Sequence, residues 1–263
     1  MLLSQRLIST LRASGGCWSS GGGSGPGPQE MIYDAATDTG YYGEVSAADL
    51  VTGAALASAI GLSAGAAMAD AGWLKFYVGP NADCNRGLCA YVLFVAKMPL
   101  RRAVSWNNIN AVRPVDGSGA AITIGDDSYK VRLLTGADAN PSTHTSGATT
   151  CATNPGATSE WNDLFYRIHA DVPNCATPTV GMQGGSATTR HGGPQVGGNW
   201  DDLTDAETGV MYTLNSGSVS WCQEVNGASR VYRGVGGVAF FTANPPTFND
   251  NNAGWRPALE LVR

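Results

Sequence analysis

Six cysteines (Cys17, Cys84, Cys89, Cys151, Cys175 and Cys222) and three histidines (His144, His169 and His191) are the side chains here suited to soft-metal binding, disulfides or nucleophile–base chemistry. Cys84 and Cys89 enclose four residues, a spacing open to a disulfide at a hairpin tip or to half a zinc site. No second close pair follows, and the histidines are scattered, so zinc is the poorest match; a local disulfide and buried thiols stay open. His169 near Asp171 has the composition of a base and its orienting acid, yet a histidine closing a helix equally serves the dipole. The chain has no Gly-x-Ser-x-Gly elbow, phosphate loop or His-Glu-x-x-His helix. The expectation is a protein that is not an enzyme, with no catalytic residue, cofactor or metal.

Composition points the same way. The chain has 35 Gly and 13 Pro among 263 residues, with only 14% charged. Such a balance favours a loop-rich β-type protein over a helical bundle, and low charge argues against classical disorder. A net charge of −5 gives no reason to expect nucleic acid or an anionic membrane. No apolar run reaches the ~18 residues of a membrane-spanning helix, so membrane insertion is not expected.

The elements that must position any site can be read in order. Residues 1–13 place Leu3, Leu7, Ile8 and Leu11 at helical spacing, which suits a docking helix, with a frayed terminus that has no role as the equal alternative. Gln5 and Arg6 interrupt the apolar core that an export signal needs, so export by that route is not expected. Residues 14–30 are almost all Gly, Ser and Pro and read as a flexible tether. Residues 31–71 are rich in small residues and read as a spacer or collar suited to oligomerisation, with a helix opened by Ser46 and a second small-residue segment from Ala54 to Ile60.

Stronger patterns begin at Gly72. Trp73–Val78 and Cys89–Ala96 form a hairpin, Ser105 caps a short helix, and Ala121–Ile124 and Tyr129–Leu134 flank a turn at Gly125-Asp126-Asp127. Trp161, Leu164, Phe165 and Ile168 follow a helical period behind a Ser159 cap. Three short strands, at 217–223, 229–232 and 236–241, are expected to join the terminal one in a small antiparallel sheet. In that last strand Trp255, Pro257, Leu259 and Leu261 share one parity, and Pro257 suggests an edge position.

One series of motifs resembles virion structural proteins of tailed bacteriophages. It comprises Trp73-Leu74-Lys75-Phe76, Ala96-Lys97-Met98-Pro99, Ser105-Trp106-Asn107, Tyr129-Lys130-Val131-Arg132-Leu133-Leu134-Thr135-Gly136, Ser159-Glu160-Trp161-Asn162, Ser220-Trp221-Cys222-Gln223-Glu224, Arg233-Gly234 and Gly254-Trp255-Arg256-Pro257-Ala258-Leu259-Glu260-Leu261. The resemblance covers Trp73 to the end. The closing Gly-Trp-Arg pattern is also similar to the end of C-type-lectin-like domains of the formylglycine-generating and phage tropism-determinant kind. The resemblance implies an α+β, β-rich fold, with a C-type-lectin-like domain over 72–263 built from small antiparallel sheets, few short helices and long loops. It implies a virion location, on a tail fibre, tail tip or head-decorating appendage. The partners implied are other virion proteins through the N-terminal segment, a host surface glycan or protein, and further copies in a homo-oligomer, a trimer included. A purely structural head-decoration or connector role is the alternative.

Against these families two chemistries fall away. Trp161-Asn162-Asp163 matches the saccharide-binding tripeptide of calcium-dependent lectins, but it opens a helix, where a core tryptophan with capping neighbours is expected. Formylglycine generation needs a pair of reactive cysteines near the end, where only Cys222 stands. For a recognition surface the expected residues are Arg190, His191, Asn199, Trp200, Asp201, Arg230, Tyr232, Phe248 and Asn249, aromatic and polar side chains in loop-like stretches.

Overall fold

A computed structural model describes residues 23–35, 37–80, 90–112, 115, 120–136, 159–169, 200–210, 216–234, 238 and 241–262. The expected N-terminal helix over 1–13 lies outside them, as do Cys84 and Cys89. Two sheets carry the fold. The seven-stranded sheet contains β1 (Ile32–Asp34), β2 (Thr39–Val45), β4 (Trp73–Val78), β5 (Tyr91–Ala96), β7 (Ala121–Ile124), β8 (Asp127–Arg132) and β13 (Ala258–Val262), in the order β1-β2-β4-β5-β13-β8-β7. The six-stranded sheet contains β3 (Ala66–Ala67), β6 (Arg101–Arg102), β9 (Val219–Asn226), β10 (Ser229–Arg233), β11 (Phe241–Asn244) and β12 (Ala253–Trp255), in the order β11-β10-β9-β12-β6-β3. Short helices α1 (Gly53–Ala59), α2 (Trp106–Val112) and α3 (Glu160–Asp163) complete a β-rich α+β architecture.

Alternation along β4 and β5 divides the core between the two faces of the larger sheet. Trp73, Val92, Phe94 and Ala96 join Leu259, Leu261, α1, α2 and the tryptophans Trp221 and Trp255 on one face. Leu74, Phe76, Val78, Leu93 and Val95 join Trp161, Phe165, Ile168, Trp200 and Leu203 on the other. β5, buried at every residue, needs its continuous apolar run because both its faces are covered.

Both hairpins form, with Val78 opposite Tyr91; in the second the returning strand starts at Asp127, two residues before the expected Tyr129, so Asp127 pairs with Ile124 and the turn is Gly125-Asp126. The C-terminal stretch departs from expectation. It is two strands, β12 in the smaller sheet and β13 in the larger, so the chain changes sheets at Arg256-Pro257. β13 is a central strand between β5 and β8, not an edge. Pro257 is tolerated because it stands between the strands, where its missing N–H interrupts no ladder; its carbonyl accepts from the Ala96 N–H at 3.0 Å. β12 runs parallel to β9, so the smaller sheet is mixed rather than purely antiparallel.

The stretch 31–71, read from composition as a spacer, is built into the fold. β2 pairs with β4 from Thr39↔Val78 to Val45↔Trp73, and Val45, Leu50, Leu56 and Ile60 enter the core. Sparse large side chains at the right parity were enough. Ser46 closes only a turn; the helix is α1, capped by the Thr52 hydroxyl, which accepts from the Ala55 N–H at 3.2 Å. Residues 23–30 of the expected tether are likewise packed against the sheet. The expected long helix after Ser159 tightens at Leu164 into a 3₁₀ turn, Phe165–Ile168, which keeps Trp161, Leu164, Phe165 and Ile168 all buried. Among the described residues no helix is long and apolar enough to cross a membrane.

Candidate binding face

The described residues that flank 137–158 and 170–199, among them Leu134, Trp161, Ile168 and Trp200, pack on the Phe76 side of the seven-stranded sheet, and buried polar side chains hold these flanks together. For 170–199 the flanking residues are side by side: the Trp200 N–H donates to the Arg167 carbonyl at 2.8 Å, the Leu203 N–H to the Ile168 carbonyl at 3.1 Å, and His169 and Leu203 form a parallel bridge. The Arg167 guanidinium lies 3.9 Å from the Trp200 ring centroid and pairs with Asp34 at 2.9 Å. Burial pulls the Arg167 pKa down and Asp34 opposes that shift. Trp200 stacks on Tyr41 and lies tilted against Phe76, and the Tyr41 hydroxyl donates to Asp201 at 2.9 Å. Burial, then Asp201, pushes the Tyr41 hydroxyl pKa far up, so it remains a donor.

His169 closes the same anchor from inside. Its Nδ1 is 3.4 Å from Asp205 Oδ1 and its Nε2 is 3.2 Å from the Thr208 hydroxyl. The order Asp–His–Thr has the composition of a nucleophile relay, but Thr208 is fully buried and its hydroxyl also lies 3.0 Å from the Thr204 carbonyl, which suits a clamp. Asp205 further accepts from the Val238 N–H.

For 137–158 the clamp is Glu160. Its carboxylate accepts from Arg132 Nη1 at 2.8 Å and Nη2 at 2.6 Å, from the Thr135 N–H at 3.0 Å and from the Tyr91 hydroxyl at 2.8 Å, while its own N–H donates to the Thr135 hydroxyl. The bidentate geometry is the strong form of this pair. Glu260 in β13 adds a second carboxylate to Arg132 at 2.9 Å. Burial opposes the charge on Arg132, but Glu160 and Glu260 outweigh it and the pKa rises well above the ordinary value. Arg233 donates to the Gly136 carbonyl at 2.8 Å and to Asn162 Oδ1 at 2.7 Å; burial lowers its pKa to about 10.

Arg256 ties this face to both sheets. It donates to the carbonyls of Ala96, Lys97 and Thr208 and to the Ser220 hydroxyl, and it packs over Phe165 at 4.4 Å. Burial lowers its pKa to about 9, which leaves it charged at neutral pH.

The residues expected to form the recognition surface fall in three places. Arg190, His191 and Asn199 lie outside the described residues. Trp200 and Asp201 belong to the anchor just described; Trp200 is only 8% exposed, so its ring supports rather than contacts. Arg230 and Tyr232 belong to β10 of the smaller sheet, and Phe248 and Asn249 to the stretch after β11, with Arg230 over the Trp106 ring at 4.5 Å and Tyr232 stacked on Phe248. Tyr232, also 8% exposed, is committed to Trp221, Phe248 and Asn244. Asn249 alone of these is exposed. Trp161 is fully buried and Asn162 serves Arg233, which leaves the tripeptide a structural role. Cys222 is a free, buried thiol. Among the described residues no three His, Cys, Asp or Glu side chains are placed to hold a metal ion.

Arg132, Glu160 and Arg167 were not singled out from sequence. The available signal was charge placed where the apolar pattern demanded burial, as Arg167 is between Phe165 and Ile168. Searches of protein-family models, curated proteins and solved structures found no match to this chain.

Proposed function

We propose that the chain is a display protein of a tailed-phage particle, an appendage of tail-fibre or tail-tip type. Its lectin-like domain presents residues 137–158 and 170–199 to a glycan or protein on the host surface. The observation that carries this reading is the anchor at Arg167 and Trp200. A long insertion whose two ends are fixed side by side on a rigid sheet is the arrangement by which binding loops are presented. Glu160 does the same for the second segment, and the virion setting rests on the motif resemblance from Trp73 to the end.

The test uses the whole chain, since residues 23–71 are part of the fold. Fluorescently labelled protein is added to a panel of bacterial strains, and any strain that binds is challenged with the phage that infects it. Saturable binding that slows phage adsorption supports the reading. Binding to no strain in the panel, including the phage host, contradicts it and favours a head-decoration or connector role.

A further inference from the structure

We infer that Lys75 is a latch for residues 23–30, so that the N-terminal segment joins the fold on the face of the large sheet opposite the anchors of 137–158 and 170–199. This assignment rests on geometry; its meaning for display rests on the function proposed above. Lys75 is in mid-strand and 0% exposed, a position that a lysine occupies only when its ammonium is satisfied. Its Nζ donates to the Pro28 carbonyl at 2.6 Å and to the Gly25 carbonyl at 3.3 Å. The ammonium also lies 4.7 Å from the Tyr42 ring centroid and 5.7 Å from that of Phe94. Tyr42 falls at the register shift between Tyr41 and Gly43 in β2, and such a bulge re-aims a side chain.

The segment is shaped to fit this cradle. Gly25 and Gly27 both have φ +81, and a Cβ on Gly25 would meet Phe94 at 3.1 Å while one on Gly27 would meet Val45 at 2.4 Å. Gln29 holds the turn closed: it donates to the carbonyls of Gly25 and Gly27 and accepts from the Ser24 hydroxyl at 2.6 Å. Backbone carbonyls of a Gly-Pro-Gly-Pro turn are therefore the ligand, and a cation beside the Tyr42 and Phe94 rings is the receptor.

Polarity follows from the pleat. Lys75 and Phe76 are consecutive in β4 and point to opposite faces; the first takes the strap and the second takes Trp200. The strap therefore packs at the corner of Val45, Phe94 and Leu261, on the face opposite the Arg167–Trp200 anchor.

Hydrogen–deuterium exchange on the full chain tests the latch. In the wild type the amides of 24–31 exchange at least 10-fold more slowly than in an unstructured peptide of the same sequence. Lys75→Met removes the ammonium and keeps an apolar stem; exchange over 24–31 rises 10-fold or more while that over 200–210 changes less than 2-fold. Gly27→Ala, with Lys75 intact, displaces the strap through Val45 and has the same effect. Unprotected amides in the wild type, or strap exchange within 2-fold of wild type in both variants, overturns the latch. Host-cell binding is independent of this readout: an intact latch in a chain that binds no cell keeps the latch and removes the display role, and the reverse result does the opposite.

Discussion

The Arg167 guanidinium lies 3.9 Å from the centre of the Trp200 ring, although the two residues flank the whole of segment 170–199. Stacking between a planar cation and an indole stabilises by ~0.5–2 kcal/mol, and here it adds to the hydrogen bond from Trp200 N–H to the Arg167 carbonyl at 2.8 Å. Trp200→Ala is expected to raise amide exchange at 200–203 and 167–169 first, leaving β4 and β5 protected. Equal loosening of β4 would show that Trp200 supports the sheet and not the anchor.

Glu160 gathers Arg132, Thr135 and Tyr91 at one buried carboxylate. Glu160→Ala leaves the Arg132 guanidinium with Glu260 and the Leu133 carbonyl, and breaking a buried pair in this way costs about 3–5 kcal/mol. Urea unfolding of wild type and variant gives the number; a loss below about 1 kcal/mol would mean that Glu260 suffices.

Trp255 ends β12 with 1% of its surface exposed, where the chain passes from the smaller sheet to the larger. Trp255→Ala is expected to cost about 3–5 kcal/mol, read from the urea midpoint. A stable variant that had lost only cell binding would reassign this tryptophan from scaffold to contact.

Tyr33 donates to Asp38 at 2.7 Å, and that bond, with burial second, raises its pKa to about 12. A raised acid favours the fold while protonated, so its contribution is complete below the unfolded value near 10 and is lost as pH rises to about 12. Tyr33→Phe should flatten the fall in stability across that window. An unchanged alkaline profile in thermal melts would assign the fall to other groups.

The sheet hairpins were legible because β4, β5, β7 and β8 carry apolar runs and turn residues that depend on near neighbours. The Ser159 cap was legible for the same local reason. The role of 31–71 was not, because Gly40 and Gly43 interrupt a strand whose buried large residues, Tyr41 and Val45, find partners in β4. The sheet change at Arg256-Pro257 was hidden because Trp255, Leu259 and Leu261 all enter the same core cluster, so parity survives a break in the strand. The anchor residues were harder to read for a different reason: a charge in an apolar pattern, such as Arg167, marks burial, but its partner, distant in the chain, is fixed only by the fold. Aromatic residues in loop-like stretches do not reveal their burial, and Trp200 and Tyr232 are both buried.

The most direct measurement replaces residues 170–199 with a short Gly-Ser connection, leaving His169 and Trp200 in place. Their neighbours are already within hydrogen-bond distance, so closing the gap adds little strain and a short loop has a small closure cost. The account predicts a chain that melts within a few degrees of wild type and no longer binds the host strain. A variant that folds and still binds with undiminished affinity would contradict the assignment of 170–199 as a presented recognition segment.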